Sequence, residues 1–158
     1  MQKRILLTGH NSTAISDYFQ RNPSTYRITK CSPFKDSLKT SYDLRMLRAI
    51  KVQLEGIFDV TIVTNGRNAL QYLSSHHVDI ILLDYVMPGE DGTVVLQAIR
   101  CIPEFLTIPV LFLTGVSDEQ KVKKGLELNP QGYLLKPVSR EVLIEAINTT
   151  LKNGALIK

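Results

Sequence analysis

From Phe58 onward the chain alternates short apolar runs, rich in β-branched residues, with segments whose apolar residues recur at helical spacing, and this alternation restricts the fold more than any other feature. It points to parallel βα units. Strands are expected over residues 60–64, 80–83, 109–114 and 132–135. Between them, Ala69, Leu70 and Leu73 mark one helix, and Val94, Val95, Ala98 and Ile99 mark another. A third should start at Ser117, an N-cap followed by Asp118 and Glu119 where the helix dipole favours acids, and stop before Asn129-Pro130. The last follows Ser139, with Val142, Leu143, Ala146, Ile147 and Leu151 on its inner face.

Upstream, Leu44, Leu47, Ile50 and Leu54 stand at helical spacing while Arg45, Arg48 and Lys51 point elsewhere, the pattern of an amphipathic helix packed on a sheet. The N-terminal stretch is less regular. "RILLTGHNSTAISDYF" reads as strand, glycine turn and short helix, and "NPSTYRITKCSPFKDSLKTS" as loop with room for one more strand. A length of 158 residues suits one domain with a sizeable core. The expectation is therefore a single unit over 1–158, with a regular core over 44–152 and an atypical segment over 1–43, either a first strand plus an insertion or an extension.

Composition serves mainly to exclude. Hydrophobic residues at 44% and charged residues at 22% are near the average for globular domains, so any unusual chemistry has to be local. No apolar run approaches bilayer length and the N-terminus lacks a signal-peptide core, so a cytoplasmic protein with no membrane partner is expected. Cys31 and Cys101, 70 positions apart, suit neither a metal knuckle nor a CxxC pair and read as free thiols. The net charge of +4 draws on Arg27, Lys30, Lys35, Lys39, Arg45, Arg48 and Lys51. A solvated helix face explains it as well as nucleic acid does, and no aromatic residues interleave to stack bases, so no nucleic-acid partner is expected. The side chains of His76 and His77 diverge, with only Asp79 close by in sequence, which makes them surface residues rather than metal ligands.

Parallel strands deliver functional residues at their carboxyl ends, where the loops converge on one crevice. That rule collects Asp84 after "DIILL", Thr114 after "VLFL" and Lys136 after "GYLL". Together they suit phosphoryl chemistry: the carboxylate can attack phosphorus, the ammonium can pair with a phosphoryl oxygen, and the hydroxyl can donate to another. Gly115 leaves room for the group to enter. Singly, each has an ordinary reading as a turn acid, a capping threonine or a solvated lysine, and only their company favours chemistry.

The strings "VDIILLDYVMPGEDG", "PVLFLTG" and "GYLLKP", in this order and preceded by "TNGRNAL", resemble the receiver domain of two-component response regulators over residues 44–151. The resemblance implies a flavodoxin-like α/β fold, a doubly wound (βα)5 parallel sheet in the order 2-1-3-4-5. It also implies a protein that is phosphorylated and dephosphorylated on its own Asp84 rather than one that turns over a substrate. The donor would be a histidine kinase or a phosphotransfer protein, and the output a downstream protein target or self-association. Asp84 is then the phosphoacceptor, Thr114 the switch hydroxyl, Lys136 the phosphate-pairing ammonium and Tyr133 the aromatic switch. Pro137 would follow a cis peptide bond, and Val86 would offer its backbone carbonyl to Mg²⁺.

At one point the chain departs from this pattern. Receivers carry a pair of acids after their first strand to hold Mg²⁺, and no such pair is present. If "RILLTG" is the first strand, Gly9, His10 and Asn11 occupy the acidic corner and a long connection leads to the next helix. If the strand lies just before "FKDSLKTSYDLRML", Lys35-Asp36 replaces the pair and Asp36 joins Asp84 and Val86 at the metal, although Lys30, Pro33 and Lys35 make a poor central strand. In either case Mg²⁺ would be held weakly. "ILLTGHNSTAI" also has an echo of the opening turn of short-chain dehydrogenases, but Gly9 is the only member of the usual glycine set and no Tyr-x-x-x-Lys string follows. The competing function is a phosphorylation-independent pseudo-receiver, an interaction or dimerisation module.

Overall fold

Apolar residues that are adjacent along each strand part to opposite faces of the sheet, as a period of two requires. The computed structural model describes residues 2–8, 42–87, 90–115 and 128–154. In β1 (Arg4–Thr8), Ile5 and Leu7 join one core cluster while Leu6 joins the other. β3 (Ile80–Asp84) divides Ile80 and Leu82 from Ile81 and Leu83, and β6 (Val110–Thr114) divides Leu111 and Leu113 from Val110 and Phe112. All eleven of these side chains are buried. Each contributes about 1.5–3 kcal/mol by leaving water, so both faces have to be covered by helices.

With β2 (Asp59–Val63) and β7 (Gly132–Leu135), these strands form one parallel sheet in the order β2-β1-β3-β6-β7. Counted among themselves, the five strands run 2-1-3-4-5, the expected order. Helices α1 (Tyr42–Leu54) and α4 (Arg140–Gly154) cover one face with Leu47, Ile50, Leu54, Leu143 and Ile147. Helices α2 (Gly66–Leu73) and α3 (Gly92–Arg100) cover the other with Ala69, Leu70, Leu73, Val95, Leu96, Ala98 and Ile99. Local chemistry sets the ends of these helices. Asn65 caps α2 by accepting from the Asn68 amide at 2.7 Å, and Gly56, at φ +81°, turns the chain after α1 in a conformation that glycine adopts without steric cost.

The central strand is "RILLT", with β2 on one side and β3 on the other. Lys35-Asp36 therefore does not follow the central strand, because Ile5, Leu6 and Leu7 satisfy its demand for apolar side chains on both faces. Two local readings need amending. Val86–Met87 and Glu90–Asp91 form a small antiparallel ribbon, β4 and β5, where only a loop was expected. Val142 is 51% exposed, because the inward stripe of α4 runs through Leu143, Ile147 and Thr150, and a residue one step away lies about 100° around the helix. The expected helix from Ser117, the corner residues Gly9, His10 and Asn11, the loop residues Pro88 and Gly89, and Asp36 lie outside the described residues.

Candidate functional site

Among the described residues, four polar side chains are buried: Thr8, Asp84, Thr114 and Thr150. The first three close β1, β3 and β6 at their carboxyl ends. Sheet register brings these ends to nearly one level, since Thr8 pairs with Leu83, Asp84 with Leu113, and Thr114 with Leu135. Polar residues collect there because beyond the last ladder pair no further apolar layer has to be built.

Asp84 is wholly buried, and the Lys136 ammonium donates to its Oδ1 at 2.9 Å. A carboxylate removed from water requires such a cation, whose charge offsets part of the cost of desolvation. The Lys136 backbone is tied down as well, its amide donating to the Thr114 carbonyl at 2.7 Å. The Lys136–Pro137 peptide bond is cis, as the resemblance implied. On the other side of Asp84, the Tyr85 amide donates to the Leu113 carbonyl at 2.9 Å, and the Gly92 amide donates to the Tyr85 carbonyl at 2.9 Å. A Cβ on Gly92 would collide with the Asp84 carbonyl and press on Phe112 and Tyr85, so α3 seats against the acid's own backbone only because the residue there is glycine.

Tyr133 stacks on Phe112 with ring centroids 5.5 Å apart, and Phe112 meets Tyr85 edge to face at 5.2 Å. Burial raises the Tyr133 phenol above its ordinary value of 10.0, so the ring is a neutral, half-buried member of the wall running from Asp84 to the edge strand. Val86 belongs to β4, immediately beyond the acid. His76 and His77 are exposed at the opposite end of the sheet, where His76 stacks on Tyr72 with centroids 4.1 Å apart.

Two members of this constellation escaped sequence reading. Thr8 passed as the last residue of a strand, and Gly92 as part of a loop. A threonine closing an all-apolar central strand was the available signal for the first. For Gly92 there was none, since its contact with the Asp84 and Tyr85 backbone leaves no periodic pattern in the sequence.

Residues 42–148 match the model of the response regulator receiver domain, and the chain belongs to that family. It is 36% identical over 107 residues to the sensory transduction protein RegX3 of Mycolicibacterium smegmatis, covering 68% of this chain and 45% of that protein. It is also 30% identical over 160 residues to the 3',5'-cyclic-nucleotide phosphodiesterase regA of Dictyostelium discoideum, covering 94% of this chain and 20% of that one. The chain spans between 20% and 47% of the length of the first curated relatives it matches. The fold is shared with the CheY-like receiver domain protein of Methanospirillum hungatei JF-1, at a TM-score of 0.70 and 19% identity with both chains covered in full. The family is one of signalling rather than enzymatic domains. No helix among the described residues is long and apolar enough to cross a membrane.

Receiver domains bind Mg²⁺ at their phosphorylation site. Among the described residues no group of three His, Cys, Asp or Glu side chains could cage a metal. What the described residues offer a hydrated ion is one buried carboxylate, Asp84. Mg²⁺ keeps several waters readily when one or two carboxylates hold it, so this poorer set is compatible with it.

Proposed function

We propose that this chain is a phosphoacceptor receiver in a two-component phosphorelay, taking a phosphoryl group on Asp84 from a histidine kinase or phosphotransfer protein. The observation that carries the reading is the 2.9 Å contact between Lys136 and a fully buried Asp84, with buried Thr114 closing the neighbouring strand. In the transfer, an Asp84 carboxylate oxygen forms the P–O bond as the P–N bond of a phosphohistidine breaks, and the donor imidazole leaves with the electron pair and is protonated. Lys136 then pairs with a phosphoryl oxygen and Thr114 donates its hydroxyl to another. Mg²⁺, held by Asp84 and the Val86 carbonyl, would supply the positive charge that neutralises the incoming group.

Thr114 and Tyr133 lie on adjacent strands, joined through Phe112, which pairs with Tyr133 in register and stacks on it. Movement of Thr114 toward the new anion shifts Tyr133, and the face built by β7 and α4 changes its affinity for a downstream protein or a second copy. Asp36 has no part in this reading.

The test uses an acyl-phosphate donor with and without Mg²⁺, followed by intact mass of wild type and Asp84→Ala. One phosphate adduct on the wild type, absent from the variant, is expected. A second reading, a pseudo-receiver that binds partners without phosphorylation, draws on the missing acid pair, with Gly9, His10 and Asn11 following β1 in sequence. It prevails if neither protein takes a phosphate and partner binding is indifferent to Asp84→Ala.

A further inference from the structure

On one face of the sheet three aromatic side chains form a row that begins at the residue after Asp84. Alternation along β3 places Tyr85 on the face of Ile81 and Leu83, and Phe112 and Tyr133 pack in the same core cluster. Phe112 pairs in register with Leu83 on one side and with Tyr133 on the other. Tyr85, two residues beyond Leu83, is therefore a diagonal neighbour of Phe112, a spacing that aromatic side chains can bridge. The rings do meet: Tyr85 lies edge to face with Phe112 at 5.2 Å and 66°, and Phe112 stacks on Tyr133 at 5.5 Å and 18°.

The three rings are held to different degrees. Tyr85 and Phe112 have essentially no exposed surface, and a Cβ on Gly92 would stand 3.1 Å from both the Tyr85 Cα and the Phe112 ring, so α3 closes over this pair. Tyr133 is only half-buried and belongs to the edge strand β7. In a close-packed interior a ring with no free space passes a displacement on, and the half-buried ring at the end of the row has room to take it up. Asp84 has no exposed surface either, so a phosphoryl group added to it displaces what surrounds it, and Tyr85 is the residue bonded to it.

We infer that Tyr85 is a positioning residue for Tyr133: acting through Phe112, it joins the backbone that carries Asp84 to the aromatic ring at the sheet edge. This link does not pass through the Thr114 hydroxyl. The inference rests on the phosphoacceptor reading for what displaces Asp84, and it deepens that reading by giving the acid a second connection to β7. One aromatic contact shifts the balance between a seated and an unseated ring by about two- to tenfold, so without the Tyr85 ring Phe112 is held less firmly and Tyr133 is stacked less of the time.

Fluorine NMR of the full chain labelled with 3-fluorotyrosine tests it, using wild type, Tyr85→Phe, Tyr85→Leu and Tyr85→Met. Each protein is measured before and after an acyl-phosphate donor with Mg²⁺, and intact mass reports the adduct in the same samples. Tyr133→Phe and Tyr72→Phe assign two resonances, Tyr72 serving as internal control because it stacks on His76 at the opposite end of the sheet. Met fills the space of the ring with a flexible chain, which covers the case in which Leu leaves a cavity that prevents folding. Before the donor is added, Tyr85→Leu and Tyr85→Met should move the Tyr133 resonance, while Tyr85→Phe keeps it in place and Tyr72 stays unchanged in all four proteins. Afterwards the Tyr133 resonance of wild type and Tyr85→Phe should shift in step with the adduct, and in the Leu and Met variants that shift should be largely lost. An adduct on Tyr85→Met accompanied by the wild-type shift at Tyr133 overturns the inference and leaves the phosphoacceptor reading standing. Equal movement of Tyr72 and Tyr133 in the donor-free variants marks Tyr85 as merely structural and overturns it as well. No adduct on wild type removes the phosphoacceptor reading and the link built on it together.

Discussion

At the scale of single residues, the site depends on one buried charge pair. Lys136 keeps 22% of its side chain exposed while Asp84 keeps none, so the acid depends on the lysine more than the lysine depends on the acid. Lys136→Met should therefore cost about 3 kcal/mol at neutral pH, because it removes the cation 2.9 Å from a buried carboxylate. Adding Asp84→Asn should recover most of that loss, since no buried charge then remains. Urea denaturation of the two single variants and the double variant measures both effects. A double variant no more stable than Lys136→Met would show that packing of the lysine stem, rather than charge, carries the interaction.

At the scale of elements, the acid is held in place by how α3 meets β3. Gly92 opens that helix and leaves no space for a methyl group between the Asp84 carbonyl, Tyr85 and Phe112. Gly92→Ala should destabilise by about 2 kcal/mol through overpacking, and the backbone shift that relieves it moves Asp84 itself. The expected result is a lower melting temperature together with slower adduct formation from the acyl-phosphate donor. Normal labelling in a destabilised variant would show that the strain is relieved within α3 and does not reach the acid. β6 and β7 are joined in a comparable way, through the Lys136 amide on the Thr114 carbonyl, which ties together the two strand ends that carry Thr114 and Lys136.

At the scale of the whole molecule, the two ends of the sheet are separate. Opposite the site, Asp79 fastens the start of β1 to the approach to β3, accepting from the Arg4 amide at 2.8 Å and from Lys3 Nζ at 2.9 Å. Partial burial pushes the Asp79 carboxyl up, but the Arg4 amide, Lys3 and His77 together outweigh it and hold the group below its ordinary value of 3.8. Its contribution is therefore present above pH 3.8 and lost as pH falls through the lower folded value. Asp79→Asn should cost about 1 kcal/mol at neutral pH, a modest figure because the Lys3 end is in water, and should flatten the acid limb of the stability profile. Phosphorylation of Asp84 should be unchanged. Stability measured from pH 7 down to pH 3, beside the labelling assay, checks both statements.

The chain's own order of residues determined the architecture, because an all-apolar strand can only be an inner parallel strand and a helical stripe can only lie on a sheet. It also marked Asp84, Thr114 and Lys136, each standing at the end of such a run. Contacts between residues far apart in sequence were decided by tertiary structure alone. Which segment became the central strand followed from competition between two N-terminal stretches, and "RILLT" holds that place through Ile5, Leu6 and Leu7, all buried between β2 and β3. The close seat of Gly92 on the Asp84 backbone was invisible beforehand, since it leaves no periodic trace. Periodicity records which face of an element meets the core; it does not record which atom of another element will stand there.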